Sequence, residues 1–163
     1  MKTKIANLVI ENTPKEVAIV GDLDYRGVDR KEDCGLIESF SWLRKEYPQF
    51  CVLAFHPENE FVTNGGSSYA QHAMSFKKGR IDGICDFILL SPREGAPNLL
   101  IEFKRQNIAK SLANKKLKEH FIKQMSILGE QSKTGAECYL CLDSPGSINF
   151  KNIIKSYCNK FSL

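Results

Sequence analysis

Three charged residues stand where an apolar core is expected. Asp86 interrupts the run Ile84-Cys85-Asp86-Phe87-Ile88-Leu89-Leu90, and Glu102 and Lys104 interrupt Leu99-Leu100-Ile101-Glu102-Phe103-Lys104. A charge in a strand covered on both faces is costly, so each of the three needs compensation. If the two runs pair antiparallel across the intervening turn, with Leu90 facing Asn98, partner numbers sum to 188 and Asp86 lies opposite Glu102. Directly opposed Cβ atoms are about 4.5 to 5.5 Å apart, where like charges repel. A divalent cation between the two carboxylates turns that repulsion into binding. Lys104, two residues beyond Glu102, projects from the same face. Two oxygen ligands with open positions suit Mg2+ or Mn2+, which keep several waters and complete their shell with substrate phosphate. The chemistry this implies is metal-assisted phosphodiester hydrolysis, in which Lys104 positions the attacking water or offsets charge building on phosphorus. The same spacing also suits a plainer arrangement, with Asp86 at a solvated strand end and Glu102 and Lys104 as an edge-strand ion pair.

The elements that must position these residues follow from hydrophobic periodicity. Residues 7–11 and 16–20 are β-rich around the turn Asn12-Thr13-Pro14-Lys15, which predicts an N-terminal β-hairpin. Residues 21–31 read as a polar loop. Asp33 is placed as an N-cap, followed by Leu36, Ile37, Phe40, Leu43 and Tyr47 at helical spacing until Pro48. Residues 50–55 read as a buried strand, and 56–69 as a Gly-, Ser- and Asn-rich loop long enough to suggest a function. Residues 84–90 and 98–104 form two strands, 115–128 a helix with Leu117, Phe121, Met125 and Leu128 inward, 137–142 a strand, and 148–157 a helix. This order predicts an α/β fold, a mixed sheet flanked by helices. It divides into an N-terminal extension, residues 1–32, and a core domain, residues 33–163.

Composition narrows the class. The 163 residues are 42% hydrophobic and 26% charged, which excludes collagen-like and wholly disordered chains. No apolar run approaches the roughly 20 residues of a membrane span, and the start of the chain lacks a signal-peptide pattern, so a cytoplasmic protein is expected. Six cysteines could suggest disulfides, but Cys51, Cys85, Cys138 and Cys141 lie in apolar runs and read as buried thiols. Cys138 and Cys141 form a C-x-x-C whose odd spacing points them to opposite faces of a strand, and no second such pair completes a zinc site. The net charge of +4 is mild but uneven. Residues 1–40 hold six basic and eight acidic side chains, leaving 17 and 11 for the remainder. Between Ile101 and Lys133, eight basic residues face only Glu102, Glu119 and Glu130. Such a stretch reads either as a phosphate track or as a solvated helix face.

The stretch Gly79-Arg80-Ile81-Asp82-Gly83-Ile84-Cys85-Asp86-Phe87-Ile88-Leu89-Leu90, followed by Leu100-Ile101-Glu102-Phe103-Lys104-Arg105, resembles the PD-(D/E)XK nuclease signature in the form used by VRR-Nuc domains. Phe55-His56-Pro57-Glu58-Asn59-Glu60 is similar to the segment preceding it there, and Ser111-Leu112 and Gln124 to the Ser-Leu and helix glutamine that follow. The similarity spans roughly residues 36–157. It implies a restriction-endonuclease-like core and a Mg2+- or Mn2+-dependent endonuclease acting on DNA, structure-selective for branched duplexes such as junctions or flaps, often as a homodimer. Asp86 and Glu102 would be metal ligands together with the Phe103 carbonyl, Lys104 the catalytic lysine, and Gln124 a neighbour of the site. Glu38 falls where such nucleases supply a carboxylate from the first helix, although it lies about 200° around that helix from Leu36, a surface position. Lys78, Arg80, Arg105, Lys110, Lys115, Lys116 and Lys118 would contact nucleic acid. His56 and His72 show no metal-ligand spacing and read as loop or DNA-contact residues, with Phe61 and Tyr69 available for stacking. Trp42 reads as a packing residue. Two departures stand out: Cys85 replaces the proline that usually precedes the aspartate, and the segment between Ser111 and Gln124 is longer and richer in lysine. Alternatives are a non-catalytic nucleic-acid-binding protein on the same fold and a sequence-specific restriction-type endonuclease.

Overall fold

The computed structural model describes residues 4–57 and 83–163. The elements are α1 (Lys4–Asn12), β1 (Val17–Val20), α2 (Glu32–Glu46), a 3-10 turn (Pro48–Phe50), β2 (Ala54–Phe55), β3 (Phe87–Leu89), β4 (Leu99–Lys104), α3 (Ile108–Leu112), α4 (Lys115–Ser132), β5 (Glu137–Leu142), a second 3-10 turn (Pro145–Ser147) and α5 (Ile148–Phe161). The strands form one five-stranded mixed sheet in the order β1-β5-β4-β3-β2. β2, β3 and β4 are antiparallel neighbours, whereas β5 runs parallel to both β4 and β1.

Helices cover both faces, as the sequence predicts. Phe87, Leu89, Ile101 and Phe103 point to one side, where Leu43 of α2 and Phe150, Ile153 and Ile154 of α5 complete the core. Ile88, Leu100, Cys138 and Leu140 point to the other, against Val9 of α1, Ile108 of α3, and Phe121, Met125 and Leu128 of α4. Cys141 and Cys138 thus fall on opposite faces, and none of the six cysteines is in a disulfide. β4 lies at the centre of the sheet with every residue buried, the position where a charge is hardest to accommodate.

Several local expectations are corrected. The N-terminal hairpin does not form: residues 4–12 are helical, because Ile5, Leu8 and Val9 share one helical face that packs with the α4 side of the sheet, and the β-branched run at 9–10 is overridden. Thr13, whose N–H and hydroxyl both donate to the Val9 carbonyl, closes this helix before Pro14. β1 instead pairs with β5, Val17 opposite Cys138. α2 begins two residues earlier than an N-cap at Asp33 requires, with Lys31 at the N-cap position, and Ile37 is exposed on it. Residues 50–55 are mostly turn, because Pro48 seeds a 3-10 turn, and this leaves Cys51 exposed rather than buried. Leu117, expected inward on α4, is 51% exposed. No helix among the described residues is long and apolar enough to cross a membrane.

Candidate active site

The site lies at the C-terminal end of β4. Phe87 faces Ile101, Ile88 faces Leu100 and Leu89 faces Leu99, so the pairs sum to 188 as the hydrophobic pattern requires. The link that holds this register is built by Ser91, whose hydroxyl donates within the turn and whose N–H donates to the Asn98 side chain at 2.8 Å. Asp86 occupies the bend just before β3, and its Oδ2 accepts the Phe103 N–H at 2.9 Å. The aspartate therefore bonds across to the strand that carries Glu102 and Lys104. Gly83, three residues earlier, has φ +86° and lies so close to α4 that a Cβ would meet Ile127 at 2.9 Å and Gln124 at 3.5 Å. A side chain there would be strained twice over.

Glu102 is 1% exposed and Lys104 is also buried. The Lys104 ammonium donates to Glu102 Oε1 at 2.5 Å and to the Phe103 carbonyl at 2.9 Å. Burial pushes the Glu102 carboxyl up from its ordinary value, and the facing ammonium pulls it back. Burial alone would lower Lys104, but Glu102, Glu32 and Asp86 together hold it above the ordinary lysine value. Glu32, in the first turn of α2, is likewise raised by burial, lowered by Lys104 and raised again by Asp86; its Oε1 accepts the Arg105 N–H at 3.2 Å. One ammonium thus lies in the field of three carboxyl groups, and burial favours the neutral form of two of them, Glu102 and Glu32.

The fit to a divalent cation rests on unpaired oxygens. Glu102 Oε2 is buried without a hydrogen-bond partner, and so is Gln124 Oε1, among the described residues. Both are acceptors lacking a donor. The Lys104 ammonium already bonds two of the expected metal-binding groups, Glu102 and the Phe103 carbonyl, as a cation would. No three His, Cys, Asp or Glu side chains among the described residues converge as a complete metal-binding set, so water and substrate would have to supply most of the shell.

The structure brings Asp86, Glu102, Phe103 and Lys104 together and buries Gln124 on α4, against Gly83. Glu38 is placed differently. Its carboxylate pairs with Arg30 at 2.5 Å, and Arg30 also holds Asp143 at 3.0 Å. The first-helix carboxylate in the field of Lys104 is Glu32, which sequence reasoning missed. Its position at a helix start offers a sufficient explanation in itself, a first-turn acid favouring the helix dipole. The sequence carries no signal for it, because the path of the loop before α2 is set by long-range contacts such as Asn107 N–H with Asp29. Of the basic residues, Lys110 is exposed and paired with Asp29 at 3.4 Å; Lys115 is exposed and only loosely paired with Glu119 at 3.9 Å. Lys116 and Lys118 follow at the start of α4, where Asn114 caps the helix by accepting the N–H groups of Lys116 and Leu117. Arg105 directly follows β4. The exposed His56 contacts the Asp86 carbonyl through Nδ1 at 2.5 Å, and Trp42 packs edge-on against Phe150. Phe61, Tyr69, His72, Lys78 and Arg80 lie outside the described residues.

Fold and site together define a class, a mixed α/β sandwich with a buried, carboxylate-rich cluster around one lysine at the end of its central strand. Comparison of the chain with protein-family models, with curated proteins and with solved structures finds no match.

Proposed function

We propose that the chain is a divalent-metal-dependent nuclease of the PD-(D/E)XK type, cutting DNA with a preference for branched structures. The observation that carries this reading is Glu102, a buried carboxylate with one oxygen on Lys104 and the other without a partner among the described residues, beside an ammonium that also feels Glu32 and Asp86. The succession of α2, three antiparallel strands, α4 and a parallel β5 supports the same reading, because it is the order the signature implies.

Asp86 and Glu102 would hold the metal, with the Phe103 carbonyl joining once Lys104 turns away. A metal bound there supplies Lewis-acid polarisation of a phosphodiester and a water of lowered pKa. Phe103 N–H orients the Asp86 carboxylate by donating to its Oδ2. Lys104 is a point charge that can move from Glu102 to a scissile phosphate and offset the negative charge that builds there. Lys115, Lys116 and Lys118, beside one another at the start of α4, would hold a duplex arm, and a second copy of the chain would bring a second such site to a branched substrate.

A gel comparing junction, flap, duplex and single-stranded DNA, with and without Mg2+, tests this. Cutting should require Mg2+ and favour the branched substrates, and Asp86→Asn and Glu102→Gln should bind DNA without cutting it. Undiminished cutting by either variant defeats the proposal. A second reading, a nucleic-acid-binding protein without catalysis, is favoured by one specific observation: Lys104 already bonds both Glu102 and the Phe103 carbonyl. Tight DNA binding without any effect of Mg2+ would select it.

A further inference from the structure

Beyond the C-terminal ends of β4 and β5 lies a cavity of about 270 Å3. Val28 and Pro145 supply its apolar lining, and Asp29, Arg30, Gln106 and Asp143 its polar lining. The charged groups are already matched to one another. Arg30 forks onto Asp143, Nε to Oδ2 at 3.0 Å and Nη2 to Oδ1 at 3.2 Å, and gives Nη1 to Glu38. Asp29 accepts the Asn107 N–H at 3.2 Å and the Lys110 ammonium at 3.4 Å. An incoming phosphate would meet carboxylates, and an incoming cation would meet Arg30, so a neutral ligand is the one this lining admits at least cost. Gln106 is half-buried and lines the cavity. Its amide offers two donors and one acceptor, the pattern that pairs with the edge of a nucleobase.

The cavity adjoins the cluster described above. Gln106 lies two residues past Lys104, within about 7 Å along an extended chain, and the Asp143 N–H donates to the Lys104 carbonyl at 2.6 Å. Its walls are also pre-set, since the segment 27–30 is tied down by Asn107 donating to the Gly27 carbonyl at 3.0 Å as well as by Asp29 and Arg30. A small, half-open cavity whose charged walls are already paired and which carries one amide suits a single heteroaromatic ring. We propose that it receives one unpaired base of the nucleic-acid substrate, next to the phosphate held at Lys104. This rests on the nuclease reading and deepens it. A base inside a duplex must give up its pair and its stack to enter, whereas a base at a branch point has already lost part of both, so the cavity would itself generate preference for branched DNA.

The experiment uses the full chain and 2′-deoxyadenosine, followed by backbone amide chemical shifts. Saturable shifts at Val28, Gln106 and Ser144 are expected, with a dissociation constant on the order of 1 mM, as befits one ring. They should persist in Asp86→Asn, vanish in Gln106→Trp, which fills the space, and weaken about fivefold in Gln106→Ala, which keeps the test valid if the larger side chain disturbs the fold. Deoxyribose 5-phosphate should leave the three amides unmoved. No shift at about 10 mM deoxyadenosine, or equal shifts in both Gln106 variants, overturns the proposal. If deoxyadenosine binds as described and no DNA is cut, the nuclease reading fails and the base site stands; if DNA is cut and deoxyadenosine never binds, the base site alone fails.

Discussion

Two charged clusters flank the ends of β4 and β5, and they are balanced differently. Around Arg30, two carboxylates, Asp143 and Glu38, share one guanidinium whose Nε and both Nη atoms all donate, one of them also to the Ser144 carbonyl. Gly35 of α2 makes room for this contact, since a Cβ there would lie 2.1 Å from Asp143 Oδ1. Around Lys104, one carboxylate, Glu102, bonds the ammonium, Glu32 and Asp86 act on it through space, and a buried Glu102 oxygen has no partner among the described residues. The first cluster is a clip joining α2, the loop before it and the end of β5. In the second, burial raises both Glu102 and Glu32, and the one ammonium bonds only Glu102 among the carboxylates.

The largest expected effect breaks the second cluster. Lys104→Met leaves Glu102 buried without its ammonium, which should destabilise the protein by about 3 kcal/mol in urea unfolding without metal, with partial recovery in Mg2+. In cleavage assays Lys104→Ala should lose on the order of 100-fold. A Lys104→Met protein as stable as the wild type, with or without Mg2+, would mean that the cluster carries no uncompensated charge. Arg30→Met attacks the first cluster and should cost less, about 2 kcal/mol, because Arg30 is 33% exposed and water can reach Asp143 in its place. Adding Asp143→Asn should recover part of that loss, and neither change should alter Mg2+ affinity measured by calorimetry. A fall in that affinity would join the two clusters into one.

Smaller still, and sharper, is the contrast between two glutamates of α2. Glu32→Gln should weaken Mg2+ binding by about tenfold, the effect of removing a group that supports the metal ligands. Glu38→Gln should leave Mg2+ binding unchanged, because its carboxylate serves Arg30. The opposite result would restore Glu38 as the helix carboxylate of the site.

That pair also shows where sequence reasoning ends. The β3–β4 register is legible because two apolar runs joined by a short turn leave few alternatives, and the charges at 86, 102 and 104 are visible as interruptions of a core. Which glutamate of α2 serves the cluster depends on how the loop 21–31 delivers the helix, a matter of long-range contacts such as Asp29 with Asn107. α1 departs from its local pattern for a related reason. Its β-branched residues favour a strand locally, and the decisive fact is the helical face it presents to the core beside α4. Cys51 is exposed because an apolar neighbourhood in sequence becomes a turn in space, whereas Cys138 and Cys141, inside a true strand, fall on opposite faces as the period of two requires.

The last contrast concerns the lysines, and divides them by the same criterion of whether the fold already occupies them. Lys110 is engaged by Asp29, whose side chain is only 3% exposed, so it belongs with the balanced side of the molecule. Lys115 is 90% exposed, and its contact with Glu119 at 3.9 Å is of a kind that contributes little. A lysine free to meet a phosphate releases a counterion on binding, so removing one such lysine lowers the salt slope of DNA binding by about 0.9. Lys115→Gln, Lys116→Gln and Lys118→Gln should therefore each flatten the slope by about that amount. Lys110→Gln should change it by less, because Lys110 must leave Asp29 before it can serve DNA. Titrations between low and moderate salt decide the matter: equal slopes for all four variants and the wild type would take the start of α4 off the DNA path, and an effect confined to Lys110 would reverse the division drawn from the structure.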